Sequence, residues 1–396
     1  MTSPSWKQRL LALTRGSVPL TSLAYLADNL LASAGLSAAD PAPDEHLGGV
    51  NLDADLDYAR LVADNYARCG ALRGRIAEIG PGGSAAVALY LIDRGCSSVD
   101  LIDRFQFSHS PARLARTYDA IIQGTPRLSQ VFGTGEDLTP HIRSFVGEDA
   151  AAEVFFRRHN GYDAIISCAV LEHLYDPIGA LEAMASALEP GGRLVHQVDF
   201  RDHGMFTLGG HHELTFLTIP SWLYPHMSRR RGRPNRVLGH RYRATLDRLG
   251  LDYELLVTHL VGVGPIEPAP YQRIPQQLRE TAERKVEEIR PRLAKEFRDL
   301  PVSDLAASAI FFSAAAPEQA DMGATGQGEI GGSDDRSQSL RTAAGDASRP
   351  SSRAGLPATT VSESTSLMTT APAPTTAPAP MLTPGMTTAP KPMKAP

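Results

Sequence analysis

Arg75-Ile-Ala-Glu78-Ile-Gly80-Pro81-Gly82-Gly83-Ser84 is the stretch on which the reading of this chain turns. A short apolar run with Glu78 near its end breaks into a glycine-rich turn, and a helical pattern over Ala85 to Arg94 follows at once. Strand, tight turn and helix in that order bring a ligand against bare backbone at the carboxyl end of a parallel sheet. Glycine is needed there because a Cβ would hold the ligand away.

Outward from the turn, the pattern on both sides completes a sheet. Before it, Leu56, Ala59, Val62 and Tyr66 line one side of a helix, with Asp55, Asp57, Arg60 and Asp64 on the other. That helix runs into the strand and is expected to pack at the mouth of the sheet. After the turn, strand and helix patterns alternate. Ser98 to Asp103 reads as a second strand and Pro111 to Gly124 as a helix. Leu128 to Phe132 reads as a third strand, running into Gly133-Thr-Gly-Glu136-Asp137. Tyr162 to Cys168 is a fourth, followed by a helix with Ile178, Leu181, Met184 and Leu188 inward. Glu189-Pro190-Gly191-Gly192 stops that helix before a fifth strand, Arg193 to Phe200. Such alternation requires right-handed crossovers and a sheet covered on both faces. Tyr253 to Val261 and Ser308 to Ala314 read as two late strands. The helix between them carries Leu278, Ala282, Val286, Ile289 and Leu293, and Pro291 must kink or end it.

The expected architecture is therefore α/β: a doubly wound, mostly parallel seven-stranded sheet with an antiparallel last strand, N-terminal helices and a disordered C-terminal tail. Residues 1–55 form a helical extension and 56–316 the main domain. Within that domain 73–200 make the ligand-binding core, 201–250 an acceptor-side region, and 251–316 the terminal strands with a helical insertion. Beyond 316 the composition collapses to Ala, Thr, Pro, Ser and Gly, which cannot bury enough apolar surface to offset its ordering entropy.

With 396 residues, 42% of them apolar, the chain has material for a sizeable core. A formal net charge of -5 gives no global reason to expect nucleic acid or an anionic membrane surface. Cys69, Cys96 and Cys168 are odd in number and widely spaced, so neither a disulfide framework nor a zinc site follows, and a reducing, cytoplasmic setting is expected. Met1 to Leu36 faintly resembles a secretory leader, but Pro19, Asp28 and Asn29 interrupt the apolar run. Leu23, Leu26 and Leu30 fall on one helical face, so an amphipathic helix is the reading. No stretch is long and apolar enough to span a membrane.

Taken alone, Gly80-x-Gly82-x-x-Ala85 fits a dinucleotide fingerprint and does not choose between a nicotinamide or flavin cofactor and S-adenosylmethionine. The remaining strand ends do. Glu78-x-Gly80-x-Gly82 with Asp103 closing the second strand resembles the first two motifs of the class I S-adenosylmethionine-dependent methyltransferases. Tyr162-Asp-Ala-Ile-Ile-Ser-Cys168-Ala-Val-Leu-Glu172-His173-Leu resembles their fourth-strand motif, and Leu188-Glu-Pro-Gly-Gly-Arg-Leu the turn before their fifth strand. Together these cover residues 75–200.

The resemblance implies S-adenosylmethionine as cofactor, with Gly80 and Gly82 letting its methionine part lie on the backbone and Glu78 near its amino group. It implies Asp103 as acceptor for the ribose hydroxyls, and Cys168 and Ala169 as lining of the methionine side. At the third strand many relatives place an Asp directly after a Gly to meet the adenine amino group. This chain has Thr134 after Gly133, which leaves Glu136, Asp137 or a backbone group for that role.

Methyl transfer from a sulfonium is an in-line displacement, in which positioning and loss of charge in a dry site do most of the work. A base is needed only where the acceptor carries a proton that must leave. Asp199-Phe-Arg-Asp202-His203 and His211-His212-Glu213, after the fifth strand, are where one can stand. His203 comes first, with Asp202 and His211 as further catalytic candidates. No metal site is expected, because adjacent residues rarely converge on one ion and no H-x-x-x-H spacing is present. Arg229 to Arg236 is a basic cluster that reads either as a solvated loop or as a seat for a phosphorylated or carboxylated acceptor.

The expected activity is S-adenosylmethionine-dependent transfer of a methyl group to a small-molecule or saccharide acceptor, most readily at oxygen. Two rivals stand beside it: a nicotinamide-dependent oxidoreductase on the same fold, and a non-catalytic protein acting through its tail. No nucleic-acid partner is expected, and the oligomeric state is open.

Overall fold

The computed structural model describes residues 13–34, 51–105, 109–132, 140–229 and 232–316. The expected disordered tail and the candidates Glu136 and Asp137 lie outside the described residues.

Among the described residues eight strands form one sheet: β1 (Gly74–Ile79), β2 (Cys96–Asp103), β3 (Ile142–Val146), β4 (Tyr162–Cys168), β5 (Leu188–Asp199), β6 (Asp252–Leu260), β7 (Gly264–Ala269) and β8 (Ala307–Ala315). Their order is β3-β2-β1-β4-β5-β8-β6-β7. The first five run parallel, whereas β8 lies antiparallel between β5 and β6, and β7 pairs antiparallel with β6. The fold class is the expected one with one strand more. The added strand, β7, contains Pro265 and Pro268, which removes two ladder donors and confines it to the edge of the sheet.

Helices cover both faces: α1 (Val18–Ser33), α2 (Leu52–Ala67), α3 (Ala86–Asp93), α4 (Pro111–Gly124), α5 (Pro126–Phe132), α6 (Pro177–Ala187), α7 (Tyr224–Ser228), α8 (Gly239–Leu249), α9 (Gln276–Ile289) and α10 (Val302–Ala306). Adjacent strand residues turn to opposite sides, as the two-residue period demands. Ile76, Ile166, Val195 and Phe311 pack with Ala63, Leu89, Ile121 and Phe132 on one side. Ala77, Ile165, Leu194 and Phe312 pack with Leu181, Tyr242 and Val286 on the other. Among the described residues no helix is long and apolar enough to cross a membrane.

Three expectations need correction. Leu128–Phe132 is not a strand: it lies in α5, which Pro126 opens, and a proline at the first helical position is preorganised for that start. The third strand is β3, fourteen residues further on and less apolar. α1 forms, but its buried side is Thr21, Ser22, Ala24, Tyr25 and Asn29, while Leu20, Leu23 and Leu30 are exposed. Its orientation follows from Tyr25, whose hydroxyl donates to the Met205 carbonyl at 3.1 Å, and from Asp28, paired with Arg233 at 2.6 Å. Finally, α6 ends at Ala187, so Leu188 opens β5 instead of closing the helix.

At the opposite end of the sheet from the glycine turn, Asp100 of β2 is fully buried and accepts from Arg75, Arg143 and the Tyr162 hydroxyl at 2.8–2.9 Å. Against the burial that opposes ionisation, these donors hold its carboxyl below the usual range. This network ties β1, β2, β3 and β4 together and leaves their carboxyl ends for function.

Candidate active site

β1 and β4 are neighbours although β2 follows β1 in sequence, so the strand order reverses between them. In open α/β sheets that reversal leaves a crevice at the carboxyl ends. Gly80, at the end of β1, has φ +67° and donates to the Ile102 carbonyl at 2.9 Å. A Cβ on it would stand 2.4 Å from Val170 Cγ2, so the loop after β4 closes directly over the turn. His109 Nε2 reaches the Gly82 carbonyl at 2.5 Å, and the Ala85 amide donates to the Tyr118 hydroxyl at 2.8 Å, which fixes the far side of the turn.

Two carboxylates stand at the ends of the strands that form this crevice. Glu78 is 3% exposed, its Oε2 has no hydrogen-bond partner, and burial pushes its pKa up to about 8. Asp103 is half-buried, accepts the Phe105 amide at 2.9 Å, and is pushed by burial up to about 7. An ammonium beside Glu78 and hydroxyl donors beside Asp103 are what would satisfy them. Those are groups that S-adenosylmethionine carries, so the residues present fit it.

At the end of β4, Cys168 faces the Gln197 side chain at 3.6 Å, and burial pushes its thiol up to about 12, so it is inert filler and not a nucleophile. Ala169 adopts φ +55° and donates to the Gln197 carbonyl at 3.0 Å. Tyr58 and Tyr66 of α2 lie close enough to Cys168 and Glu78 to feel their charge, and burial raises both phenols. α2 therefore closes this end, as expected, but Tyr58 itself was not singled out. Its signal was an aromatic eight residues before Tyr66, two turns away on the same helix.

The corrected third strand changes which acids stand at its end. Val146 is followed by Gly147 at φ +117°, then Glu148 and Asp149, both largely exposed. Reading α5 as a strand hid this Gly-Glu pair.

The residues expected on the acceptor side lie on the loop after β5. Asp202 is buried and accepts four hydrogen bonds, from the amides of Gly204, Phe206 and Thr207 and from the Thr207 hydroxyl, at 2.7–3.0 Å. These occupy it in shaping the loop. His203, at φ +48°, is turned inward by that loop and its side chain is 4% exposed. Its Nε2 lies 3.9 Å from Glu172 Oε1 and 3.8 Å from Asp199 Oδ2, and its ring meets that of His173 edge-on at 4.8 Å. Burial draws the His203 pKa down despite Asp199. Arg201 grips Asp199 with bonds of 2.6–3.0 Å.

Glu172 is 1% exposed, and neither carboxylate oxygen has a hydrogen bond of ordinary geometry. Burial raises its pKa well above the usual range, and Asp199 adds to that. Glu172, His173 and His203 each present one ligating atom, all within 4.8 Å of one another. The His211-His212-Glu213 run does not converge in this way. His211 bonds the Arg15 carbonyl at 2.8 Å, His212 the Lys285 carbonyl at 2.9 Å, and Glu213 accepts the Gly262 amide at 2.9 Å.

A cavity of 450 Å³ opens beside this cluster, its wall including His173, Tyr224, Arg229, Arg236, His240 and Arg241. Arg236 stacks on Tyr224 at 4.3 Å and donates to the Ile219 carbonyl at 2.6 Å, so this member of the basic cluster is structural. Arg229 and Arg241 are exposed, and among the described residues neither has an acidic partner. Tyr224 walls the cavity, whereas Tyr242 is core and Trp222 is 73% exposed.

Residues 54–255, just over half of the chain, match the family model described as "Methyltransferase domain". Among solved structures the chain is similar to the Haemonchus contortus phosphoethanolamine N-methyltransferase 2 in complex with S-adenosyl-L-methionine, at 13% identity over 80% of this chain and 61% of that one, TM-score 0.36. It is also similar to an S-adenosylmethionine-dependent methyltransferase from Mesorhizobium loti, at 15% identity over 67% of this chain and all of that one, TM-score 0.34. No curated protein matches. With the family matched across the strands that carry the glycine turn and the two carboxylates, the chain belongs to the methyltransferase-domain family, the class I S-adenosylmethionine-dependent methyltransferases.

Proposed function

We propose that the protein transfers the methyl group to an oxygen of a small-molecule or saccharide acceptor seated in the cavity beside His173. The observation that carries this reading is the buried cluster of Glu172 and His203, short of partners and next to His173, which lines a cavity large enough for such an acceptor. An acceptor without a proton to lose has no use for such a group, whereas a hydroxyl does.

S-adenosylmethionine, when bound, supplies a methyl group on a sulfonium and leaves as a neutral thioether. Glu78 holds the amino group, Asp103 the ribose hydroxyls, Gly80 and Gly82 the methionine part, and Cys168 and Ala169 its lining. Glu148, directly after Gly147, takes the adenine edge in place of Glu136 or Asp137. With the donor held there, its methyl carbon would bond to the acceptor oxygen while the carbon–sulfur pair stays on sulfur, and the hydroxyl proton would leave through the cluster that includes His203. Asp202 positions His203 through the loop, and His211 anchors the same region to the N-terminal segment. The catalytic unit spans 56–316, and the free cysteines Cys69, Cys96 and Cys168 favour a reducing, cytoplasmic setting. The acidic balance of the chain does not favour a nucleic-acid acceptor.

Incubating the protein with methyl-labelled S-adenosylmethionine and fractionated metabolite extract tests the reading. Label recovered as a methyl ether or ester supports it; label found only on nitrogen or carbon overturns the oxygen assignment.

A further inference from the structure

We infer that Glu172, His173 and His203 form a binding site for a divalent transition-type cation at the acceptor end of the pocket.

Three observations carry this. The ligating atoms of one carboxylate and two imidazoles lie within 4.8 Å of one another, and the Glu172–His203 separation is 3.9 Å. Metal–ligand bonds of about 2.0 Å at a tetrahedral angle bring ligand atoms to roughly 3.3 Å apart, so modest side-chain adjustment closes the site. Glu172, 1% exposed, is a buried acid neither of whose oxygens accepts a hydrogen bond of ordinary geometry. A buried polar group of that kind calls for a partner outside the chain.

The third observation is how firmly the ligands are held. Asn235 takes the carbonyls around Glu172 and His173: its side chain donates to Leu171 and Leu174 at 2.8 and 3.1 Å, and its amide to Glu172 at 2.5 Å. From the other side, Asp202 fixes the loop that turns His203 inward with its four hydrogen bonds. Such support of the segments that carry ligands is what a precise site requires.

The donor set selects the ion. Two nitrogens and one oxygen suit Zn²⁺, Co²⁺, Fe²⁺ or Mn²⁺ and disfavour Ca²⁺ and Mg²⁺, which take oxygen ligands. Three protein ligands leave a coordination position open, and His173, which also lines the cavity, puts that position on the acceptor's side. Ligation there acidifies a hydroxyl, so His203 acts on the acceptor through the ion and the proton passes to cavity water. This role deepens the oxygen-acceptor reading and rests on it. The binding itself is measured without donor or acceptor, so either can fail alone.

The test titrates Co²⁺ into chelator-treated full-length protein and reads visible ligand-field absorption. Expected is one Co²⁺ per chain, displaced by Zn²⁺ and not by Mg²⁺ or Ca²⁺. Glu172→Gln and His203→Asn should each weaken binding at least about tenfold, the loss that removing even an outer partner of a ligand brings. Asn tolerates the left-handed backbone at 203, so that variant is expected to keep its melting temperature and decides the matter should Glu172→Gln fail to fold. Absence of stoichiometric Co²⁺ uptake, or uptake unchanged in His203→Asn, overturns the inference.

Discussion

The Cβ that Gly80 lacks would stand 2.4 Å from Val170 Cγ2, so the turn after β1 and the loop after β4 meet through a missing atom. Gly80→Ala should destabilise the protein by about 2–4 kcal/mol, combining a left-handed backbone penalty of roughly 1–2 kcal/mol with the clash. Adding Val170→Ala relieves the clash and leaves the backbone cost. A double-mutant cycle in denaturant should therefore return a coupling of about 1 kcal/mol or more, and simple additivity would count against the contact.

Glu78→Gln should separate stability from function. Between its ordinary value of 4.5 and its folded value of about 8, the folded protein keeps a proton that the unfolded chain has lost. Stability of the ligand-free protein must then fall as pH rises through that window, with a ceiling of about 1.4 kcal/mol per pH unit from this group. Melting curves of the Gln variant should lose that part of the slope and show higher stability above pH 7. Its affinity for S-adenosylmethionine should fall at the same time. In the unaltered protein, that affinity should climb with pH up to about 8, because binding an ammonium draws the proton off Glu78.

Asp103→Asn is expected to weaken donor binding by about ten- to a hundredfold, the loss of one or two charge-assisted hydrogen bonds. Calorimetric titration reads this directly, and a change under twofold would mean that the ribose lies elsewhere.

Asp202 and His203 are adjacent, yet replacing them should have opposite signatures. Asp202→Ala leaves three amides and a hydroxyl without their buried acceptor and should cost about 3–5 kcal/mol in stability. His203→Asn should cost under about 1 kcal/mol and remove most of the turnover while donor binding persists. Equal stability losses in the two variants would mean that His203, too, serves only the loop.

Much of the sheet was legible because β1, β4 and β5 are largely buried on both faces and have glycine or polar residues on at least one side, which leaves apolar runs with an edge. β4 matches its reading residue for residue, Tyr162 to Cys168. β3 was missed because it lies at the edge: only Ile142 and Phe145 are even half-buried, so its pattern is weaker than that of Leu128 to Phe132, whose run suits a helix equally well. Pro126 held the answer, since proline at a helix start reads in one direction only. For the donor pocket, Glu78, the glycines and Asp103 follow their strand ends. The acceptor cluster could not be read in this way. Glu172 and His203 belong to different loops thirty-one positions apart, brought together by the pairing of Ser167 with His196 on parallel strands. A pairing register is a property of two strands at once and leaves no mark on either.

The prolines of β7 have a consequence at the margin of the molecule. With Pro265 and Pro268 in a six-residue terminal strand, that border offers too few amide donors to recruit a ninth strand from a second copy. Self-association by sheet extension is thereby disfavoured at β7, while at the opposite rim Arg143 of β3 is held on Asp100. Concentrated solutions should resist fibre formation for that reason.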